Sequence, residues 1–198
     1  MGTHGATPAG VDWSSEGSQR LRFVQLLKLL EGHEHPSLID YGCGYGALAR
    51  FVIERGMDFA YTGFDAADEM IVAARSLIRD PRCTFTSRER DLEQADYTLA
   101  SGIFNVKLTI DEIDWQRYVR LTLDTLAGRS RKGFAFNMLT RFANGELMRD
   151  DLYYADPMHY FALCKERYSR HVALLHDYEL YEFTVLVRLG ADPKPLAG

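Results

Sequence analysis

The chain has 198 residues and a net charge of −5 at neutral pH, with 46% hydrophobic and 26% charged residues. This balance is typical of a globular domain and excludes a long disordered or collagen-like chain. The acidic charge argues against a nucleic-acid partner, because the phosphate backbone requires a basic face.

The cysteines and the N-terminal sequence indicate in which cellular compartment the protein is found. Cys43, Cys83 and Cys164 are odd in number and widely spaced, so neither a disulfide framework nor a CxxC metal site is expected. The first ten residues lack the apolar core of a signal peptide, and no apolar run approaches the ~18 residues that a membrane span needs. The sequence therefore predicts a cytoplasmic protein with reduced thiols and no membrane contact.

Helix and strand patterns alternate along the chain after residues 1–12, which we expect to be disordered. An amphipathic helix is predicted from about Ser15 to Glu31. Strands are predicted at 37–42, 59–65, 83–87, 97–104 and 133–139, and helices at 47–55, 68–78 and 113–127. Such alternation is typical of a doubly wound α/β sheet, in which ligands bind at the carboxyl ends of the strands.

The C-terminal part of the chain departs from this alternation. Asp156 and Pro157 form a good helix start, with Asp as the cap and Pro in the first turn. The last two strands, 171–177 and 182–188, are separated by only about four residues, so they must be antiparallel neighbours. We therefore predict a Rossmann-like, seven-stranded, mostly parallel sheet with an antiparallel C-terminal hairpin strand. It forms one domain over 13–190, with a small lid insert at about 140–156 and a tail at 191–198.

The segment "SLIDYGCGYGALAR", residues 37–50, places a glycine loop between a strand and a helix. Glycines at 42, 44 and 46 let backbone N–H groups approach a ligand at a helix N-terminus. Asp65 ends the next strand, where its carboxylate can accept hydrogen bonds from both ribose hydroxyls. The loop formally fits a dinucleotide, but Asp40 would lie close to a pyrophosphate. The Asp40 carboxylate suits the ammonium and sulfonium charges of S-adenosylmethionine better.

"LIDYGCGYGALA" together with "YTGFDAADEM" resembles the class I S-adenosylmethionine-dependent methyltransferases. "ADYTLASGIFNVK" and "LLHDYELYEFTVLVR" resemble a small bacterial single-domain subgroup of that family. The resemblance covers roughly residues 15–190 and implies a sheet whose last strand is antiparallel, as the pattern predicts. It also implies that the cofactor is S-adenosylmethionine.

The resemblance also implies which residues bind this cofactor. Gly42, Gly44 and Gly46 would line the methionine part, and Asp65 would bind ribose. The other cofactor-binding candidates of the loop are Asp40, Tyr41 and Cys43. Ala66 and Met70 would flank adenine, and either Glu89 or Asp91 would read its amine. The methionyl chain would lie over Ser101 and Gly102, with its carboxylate within reach of Arg22.

The acceptor side is less specific in the sequence. His176 and Asp177, at the end of the penultimate strand, are the candidate general base and its partner, although such a pair also suits a turn. Candidate substrate-binding residues are Asn105, Asn137, Tyr153 and Tyr154. The ends of the fourth and fifth strands lack carboxylates, so we expect no metal.

A small-molecule acceptor is favoured over nucleic acid or a large protein, because the insert is short and no basic groove is predicted. One alternative is a non-catalytic protein that binds S-adenosylmethionine. A second is an NAD-linked oxidoreductase, but Asp40 and the lack of a Tyr-x-x-x-Lys pair after the fourth strand count against it. The sequence does not indicate the acceptor, the methylated atom, or whether the protein is a monomer or a homodimer.

Overall fold

A computed structural model describes residues 16–143 and 145–190 of the chain. The segments predicted as a disordered N-terminus (1–12) and a tail (191–198) lie outside the described residues.

One mixed sheet forms the centre of the molecule, and its strands follow the order β3-β2-β1-β4-β5-β8-β7. The first five strands pair in parallel, whereas β8 runs antiparallel to both β5 and β7. The predicted fold class, including the antiparallel C-terminal strand, is thereby confirmed. The strands are β1 (Ser37–Tyr41), β2 (Ala60–Phe64), β3 (Cys83–Thr86), β4 (Ala95–Ala100), β5 (Ser130–Thr140), β6 (Tyr154–Ala155), β7 (His171–Leu175) and β8 (Glu182–Arg188).

Hydrophobic residues are buried on both faces of the sheet, because successive side chains of a strand point to opposite sides. On β5, Ala135 belongs to the core beneath α1 (Glu16–Leu27), α2 (Ala47–Glu54) and α3 (Asp68–Leu77). Phe134 and Phe136 belong to the core beneath α4 (Glu112–Arg129) and α5 (Pro157–Arg167). This two-sided burial is that of a doubly wound fold.

The connection after β5 contains an eighth strand that the sequence did not predict. Tyr154–Ala155 forms β6 and pairs in parallel with the end of β5, at Leu139 and Thr140. A two-residue strand is too short to leave an alternating pattern. The predicted start of α5 is confirmed, because the Asp156 side chain accepts a hydrogen bond from the Met158 N–H at 2.9 Å and Pro157 follows it. None of the helices among the described residues is long and apolar enough to cross a membrane.

Candidate functional site

The glycine loop leaves β1 and is fastened to the end of β2. The N–H groups of Gly42 and Cys43 both donate to the Phe64 carbonyl, at 2.7 and 2.8 Å. Gly42 has a φ of +83°, and a Cβ at this position would come within 2.3 Å of the Ile103 side chain. Only glycine fits this tight, left-handed turn without displacing its neighbour, so the loop backbone is free to approach a ligand.

Asp65 bridges the loop to the N-terminus of α3. Its carboxylate accepts hydrogen bonds from the Gly44 N–H at 2.9 Å and from the Ala67 N–H at 3.0 Å. Each carboxylate oxygen has a second lone pair, so both can accept further hydrogen bonds. The side chain is thus held at the loop in an orientation suited to a vicinal diol such as a ribose.

A cavity of about 220 Å³ opens beside the loop and Asp65. The sequence-predicted residues that line it are Asp40, Gly42, Cys43, Gly44, Asp65, Met70, Ser101 and Gly102. Residues that also line it but were not singled out are Gln19, Phe23, Tyr45, Ala47, Leu48, Ala67 and Ile103. The predicted residues outside this lining are Arg22, Tyr41, Gly46, Ala66 and Asp91.

Asp40 is the buried acidic group of the cavity, with 3% of its surface exposed. The pKa of Asp40 is raised to about 7, mainly by burial. The hydrogen bond from the Tyr61 hydroxyl lowers this pKa, and the nearby Asp65 carboxylate raises it. Burial likewise raises the pKa of the Cys43 thiol, so this cysteine stays protonated and is not a nucleophile.

Arg22 and Asn137 belong to one buried network rather than to the cavity wall. Arg22 Nε lies 2.7 Å from both Glu182 carboxylate oxygens. Asn137 Nδ2 donates to Glu182 at 2.6 Å, and Asn137 Oδ1 accepts from the Gly102 N–H at 2.9 Å. The Asn137 side chain is fully buried and its oxygen and nitrogen are both engaged internally, while its role in acceptor binding stays a prediction.

That Arg22 binds the methionine carboxylate likewise stays a prediction. Its guanidinium is directed to Glu182, whose side chain is 2% exposed, so the charge of Arg22 is neutralised inside the fold. Because Asn137 joins this pair to Gly102, the network instead links α1 and β8 to the backbone just after β4.

The two acidic candidates for the adenine amine make surface contacts in the structure. Tyr41 donates its hydroxyl hydrogen to Glu89 at 2.7 Å, and burial together with Glu89 raises the pKa of this phenol. Asp91 pairs with Arg88 at 2.9 Å. Both carboxylates are exposed, so the choice between Glu89 and Asp91 stays open; Ala66 is also exposed.

The insert contacts the segment that follows β4. The Tyr153 N–H donates to the Asn105 carbonyl at 2.8 Å, and the Asn105 side chain accepts from the Leu139 N–H at 3.1 Å. Tyr153 is buried, and its hydroxyl lies 3.1 Å from that of Tyr160. A second cavity, of about 360 Å³, is lined by Glu112, Gln116, Arg141, Tyr153, Tyr154, Asp156 and His159. Tyr153 and Tyr154 thus meet at one cavity, while Asn105 ties the loop to β5.

His176 and Asp177 lie in the exposed connection between β7 and β8. The imidazole of His176 contacts two rings, with centroid distances of 6.0 Å to Phe142 and 6.2 Å to Phe183. The histidine is therefore placed where the insert meets the C-terminal hairpin, outside the lining of the 220 Å³ cavity.

The chemistry of the cavity fits S-adenosylmethionine. Asp40 and Asp65 offer carboxylates to an ammonium group and a ribose, and the glycine loop offers close backbone approach. Two buried hydroxyl oxygens of its lining residues, on Tyr45 and Ser101, have no hydrogen-bond partner within the described part of the chain. Buried hydroxyls are nearly always paired, so these two point to a polar ligand.

Comparisons with known proteins agree on one family. Residues 38–126 match the model of the methyltransferase domain. "Putative methyltransferase Rv1506c" from Mycobacterium tuberculosis is 47% identical over 163 residues, which cover 82% of this chain and 98% of that protein.

Solved structures share the fold at low identity. Magnesium protoporphyrin IX methyltransferase from Synechocystis, with bound S-adenosylhomocysteine, superposes with a TM-score of 0.66 at 12% identity and covers 87% of this chain and 84% of its own. Human N-acetylserotonin methyltransferase in complex with S-adenosylmethionine superposes with a TM-score of 0.66 at 15% identity. The match covers 96% of this chain and 61% of the human chain. The chain belongs to the class I S-adenosylmethionine-dependent methyltransferases.

Proposed function

We propose that this methyltransferase modifies a small-molecule acceptor at oxygen, nitrogen or carbon. The proposal rests on one observation, which is the small size of the insert at the carboxyl edge of the sheet. Asp151 of the insert contacts the segment after β4, where the N–H groups of Lys107 and Leu108 donate to its carbonyl at 3.0 and 2.9 Å. Tyr153 and Tyr154 of the insert line a cavity of about 360 Å³, a volume that suits a small molecule and not a macromolecule.

The names of the two solved structures support the same class of acceptor. Those enzymes are named for magnesium protoporphyrin IX and N-acetylserotonin, which are small molecules. Their likeness to this chain is one of fold, so the support concerns the class of acceptor and not its identity.

S-adenosylmethionine supplies an activated methyl group on a sulfonium, which an acceptor takes by in-line displacement. The protein's contribution is then mainly positioning. The glycine loop and Asp65 hold the donor on one side of the segment that follows β4. Asn105 and the insert shape the other side, and Asn137 fixes the Gly102 backbone between them.

We further propose that His176 serves as the general base where the acceptor must lose a proton. Support comes from its place at the carboxyl end of β7, beside Phe142 of the insert. Asp177 follows it in the same connection and would act on the imidazole, not on the acceptor.

A transfer assay with S-adenosylmethionine labelled in its methyl group tests the class of acceptor. An extract of the source organism is separated into a small-molecule filtrate and a macromolecular fraction, and each is incubated with the enzyme. We expect label in the filtrate products. Label confined to protein or nucleic acid would contradict the proposal.

Asp65→Ala should weaken S-adenosylmethionine binding by on the order of 1.5–3 kcal/mol, the range for a lost hydrogen bond to a charged group. The variant removes the proposed ribose acceptor and the anchor of the Gly44 N–H. Calorimetric titration with S-adenosylmethionine, S-adenosylhomocysteine and NAD measures the effect. Asp68→Ala removes an exposed carboxylate three residues away and should bind as the wild type does. Equal affinities for both variants would argue against the role of Asp65.

His176→Ala should lower turnover and leave cofactor affinity nearly unchanged, because the side chain lies outside the cofactor cavity. Single-turnover rates and calorimetric affinity, measured on the same preparation, separate the two effects. Phe142→Ala, which removes the ring beside His176 but no titratable group, is the matched control. An unchanged rate in His176→Ala would make this histidine a structural residue of the hairpin.

A further inference from the structure

Exposed apolar side chains concentrate on one segment beside the second cavity. Among the described residues, half of the large apolar side chains that are exposed lie between residues 108 and 121. Leu108, Ile110 and Ile113 fall within six consecutive residues and are 61%, 44% and 80% exposed. Single exposed apolar residues are ordinary, but a group of them marks a surface that binds a ligand or a partner. We call these three residues the apolar patch.

The apolar patch lies at the edge of the cavity of about 360 Å³. The Leu108 N–H donates to the Asp151 carbonyl of the insert at 2.9 Å. Tyr153, two residues further along the insert, lines this cavity. Glu112, the residue immediately before Ile113, lines it as well. The cavity and the patch are therefore built on the same two elements, the insert and the start of α4.

The lining of this cavity is polar, in contrast to the patch. Gln116 Nε2 donates to Glu112 at 3.0 Å, and the Gln116 side chain also hydrogen-bonds to the Tyr153 hydroxyl, so α4 and the insert meet at one point. Arg141 is paired with Asp156 at 2.7 Å. Because Asp156 offsets the charge of Arg141, the Glu112 carboxylate leaves a wall that repels anions. The remaining amide, phenols and imidazole offer donors and acceptors to an uncharged hydroxyl-bearing group.

A short stretch of chain separates the two cavities. Ile103 lines the cofactor cavity. The Asn105 carbonyl accepts a hydrogen bond at 2.8 Å from the N–H of Tyr153, which lines the second cavity. The Cα atoms of Ile103 and Asn105 are at most about 7.6 Å apart, because consecutive Cα atoms are 3.8 Å apart. A molecule bound in the second cavity therefore lies next to the wall of the cofactor cavity.

We propose that the acceptor is an amphiphile, with an uncharged, hydroxyl-bearing head in the 360 Å³ cavity and an aliphatic chain on the apolar patch. This inference rests on the proposed function, since it names the class of small molecule that the methyltransferase binds. The head forms hydrogen bonds with Glu112 and Gln116, and the chain covers Leu108 and Ile113. Removing this apolar surface from water supplies binding free energy that the head alone does not.

Three probes with matched parts test this binding mode while S-adenosylhomocysteine occupies the cofactor cavity. Octyl β-glucoside, used below its critical micelle concentration, carries head and chain. Methyl β-glucoside carries the head alone, and nonanoate carries an equal chain on an anionic head. In chemical-shift titrations, octyl β-glucoside should bind at least about tenfold more tightly than either, the gain expected from burying two or more methylenes.

Each comparison can overturn the inference. Equal affinity for methyl β-glucoside would mean that the chain is not bound, and equal affinity for nonanoate would mean that the polar cavity does not select the head. Absence of binding of octyl β-glucoside to the wild type would contradict the inference outright.

Two variants separate the chain from the head. Ile113→Ser should weaken binding of octyl β-glucoside by about 3- to 10-fold and leave methyl β-glucoside unaffected, because it removes only apolar surface. Glu112→Gln should weaken both glucosides by the same factor. Val72→Ser is the matched control, since Val72 is 66% exposed but belongs to α3, and it should bind as the wild type does. Equal effects of Ile113→Ser and Val72→Ser would exclude the patch as the site of the chain.

Butanol extraction of the labelled products of the transfer assay separates this inference from the proposed function. An amphiphilic product enters the butanol phase. Labelled small molecules that stay in water would overturn the amphiphilic acceptor and leave methylation of a small molecule standing. Label confined to protein or nucleic acid would instead contradict the proposed function itself.

Discussion

Replacing Glu182 with leucine should lower the free energy of unfolding by about 3–5 kcal/mol. The carboxylate is 2% exposed and accepts hydrogen bonds from both Arg22 and Asn137. Its removal leaves the Arg22 guanidinium without its countercharge inside the fold and takes the acceptor away from the Asn137 amide. Denaturant unfolding, followed by circular dichroism, measures the change.

An exposed ion pair that joins α1 to α2 provides the control. Arg20 and Glu54 lie 3.2 Å apart, but their side chains are 45% and 46% exposed. Glu54→Leu should therefore cost only about 0–1 kcal/mol. Arg22→Leu combined with Glu182→Leu should recover much of the loss, because a buried pair can often be replaced by apolar residues at little cost. If Glu182→Leu alone lowered the free energy of unfolding by under 1 kcal/mol, water would reach the pair, since full burial predicts a loss of several kcal/mol.

The fold was predictable from the sequence because its signals are local. The four-residue link between the last two strands required an antiparallel pair, and the Asp156-Pro157 start of α5 needed only capping rules. What the sequence did not predict is β6, whose two residues form a strand only because the end of β5 lies beside them. Its position depends on a contact made across the insert, not on the residues themselves.

The parts of the site whose backbone is fixed by the glycine motif were predictable from the sequence. Side-chain contacts between residues far apart in the sequence were not. Gly42, Gly44 and Asp65 line the cavity as expected. The internal contacts of Arg22 and Asn137 were not predictable, because their shared partner, Glu182, is 160 and 45 residues away in the sequence. Tyr45, which lies between two glycines of the motif, also lines the cavity, although the motif itself does not require an aromatic there.

Ionisation of the Asp40 carboxyl group opposes folding but favours binding of the cofactor. The pKa of Asp40 rises from its usual 3.8 to about 7 in the fold, mainly through burial. The folded state therefore binds this proton more tightly than the unfolded chain does. The resulting stabilisation is complete below about pH 4 and is lost as the pH rises from about 4 to about 7.

Asp40→Asn should accordingly raise the free energy of unfolding at pH 8 by roughly 3–4 kcal/mol, since a shift of about three pKa units corresponds to that amount. Asparagine keeps the shape of the side chain and can still accept the hydrogen bond from Tyr61. Denaturant unfolding at pH 4 and pH 8 should show the gain at the higher pH and little difference at the lower. Equal stability of the two proteins at pH 8 would mean that Asp40 is solvated.

The same variant should bind S-adenosylmethionine more weakly, because the ammonium and sulfonium charges favour an ionised carboxylate in the cavity. In the wild type, binding then requires Asp40 to lose its proton, so affinity should rise between about pH 5.5 and 7.5 and protons should be released. Calorimetry in buffers of different ionisation enthalpy counts those protons. Asp40→Asn should flatten the pH profile and abolish the release, whereas a profile unchanged by the substitution would assign the titration to another group.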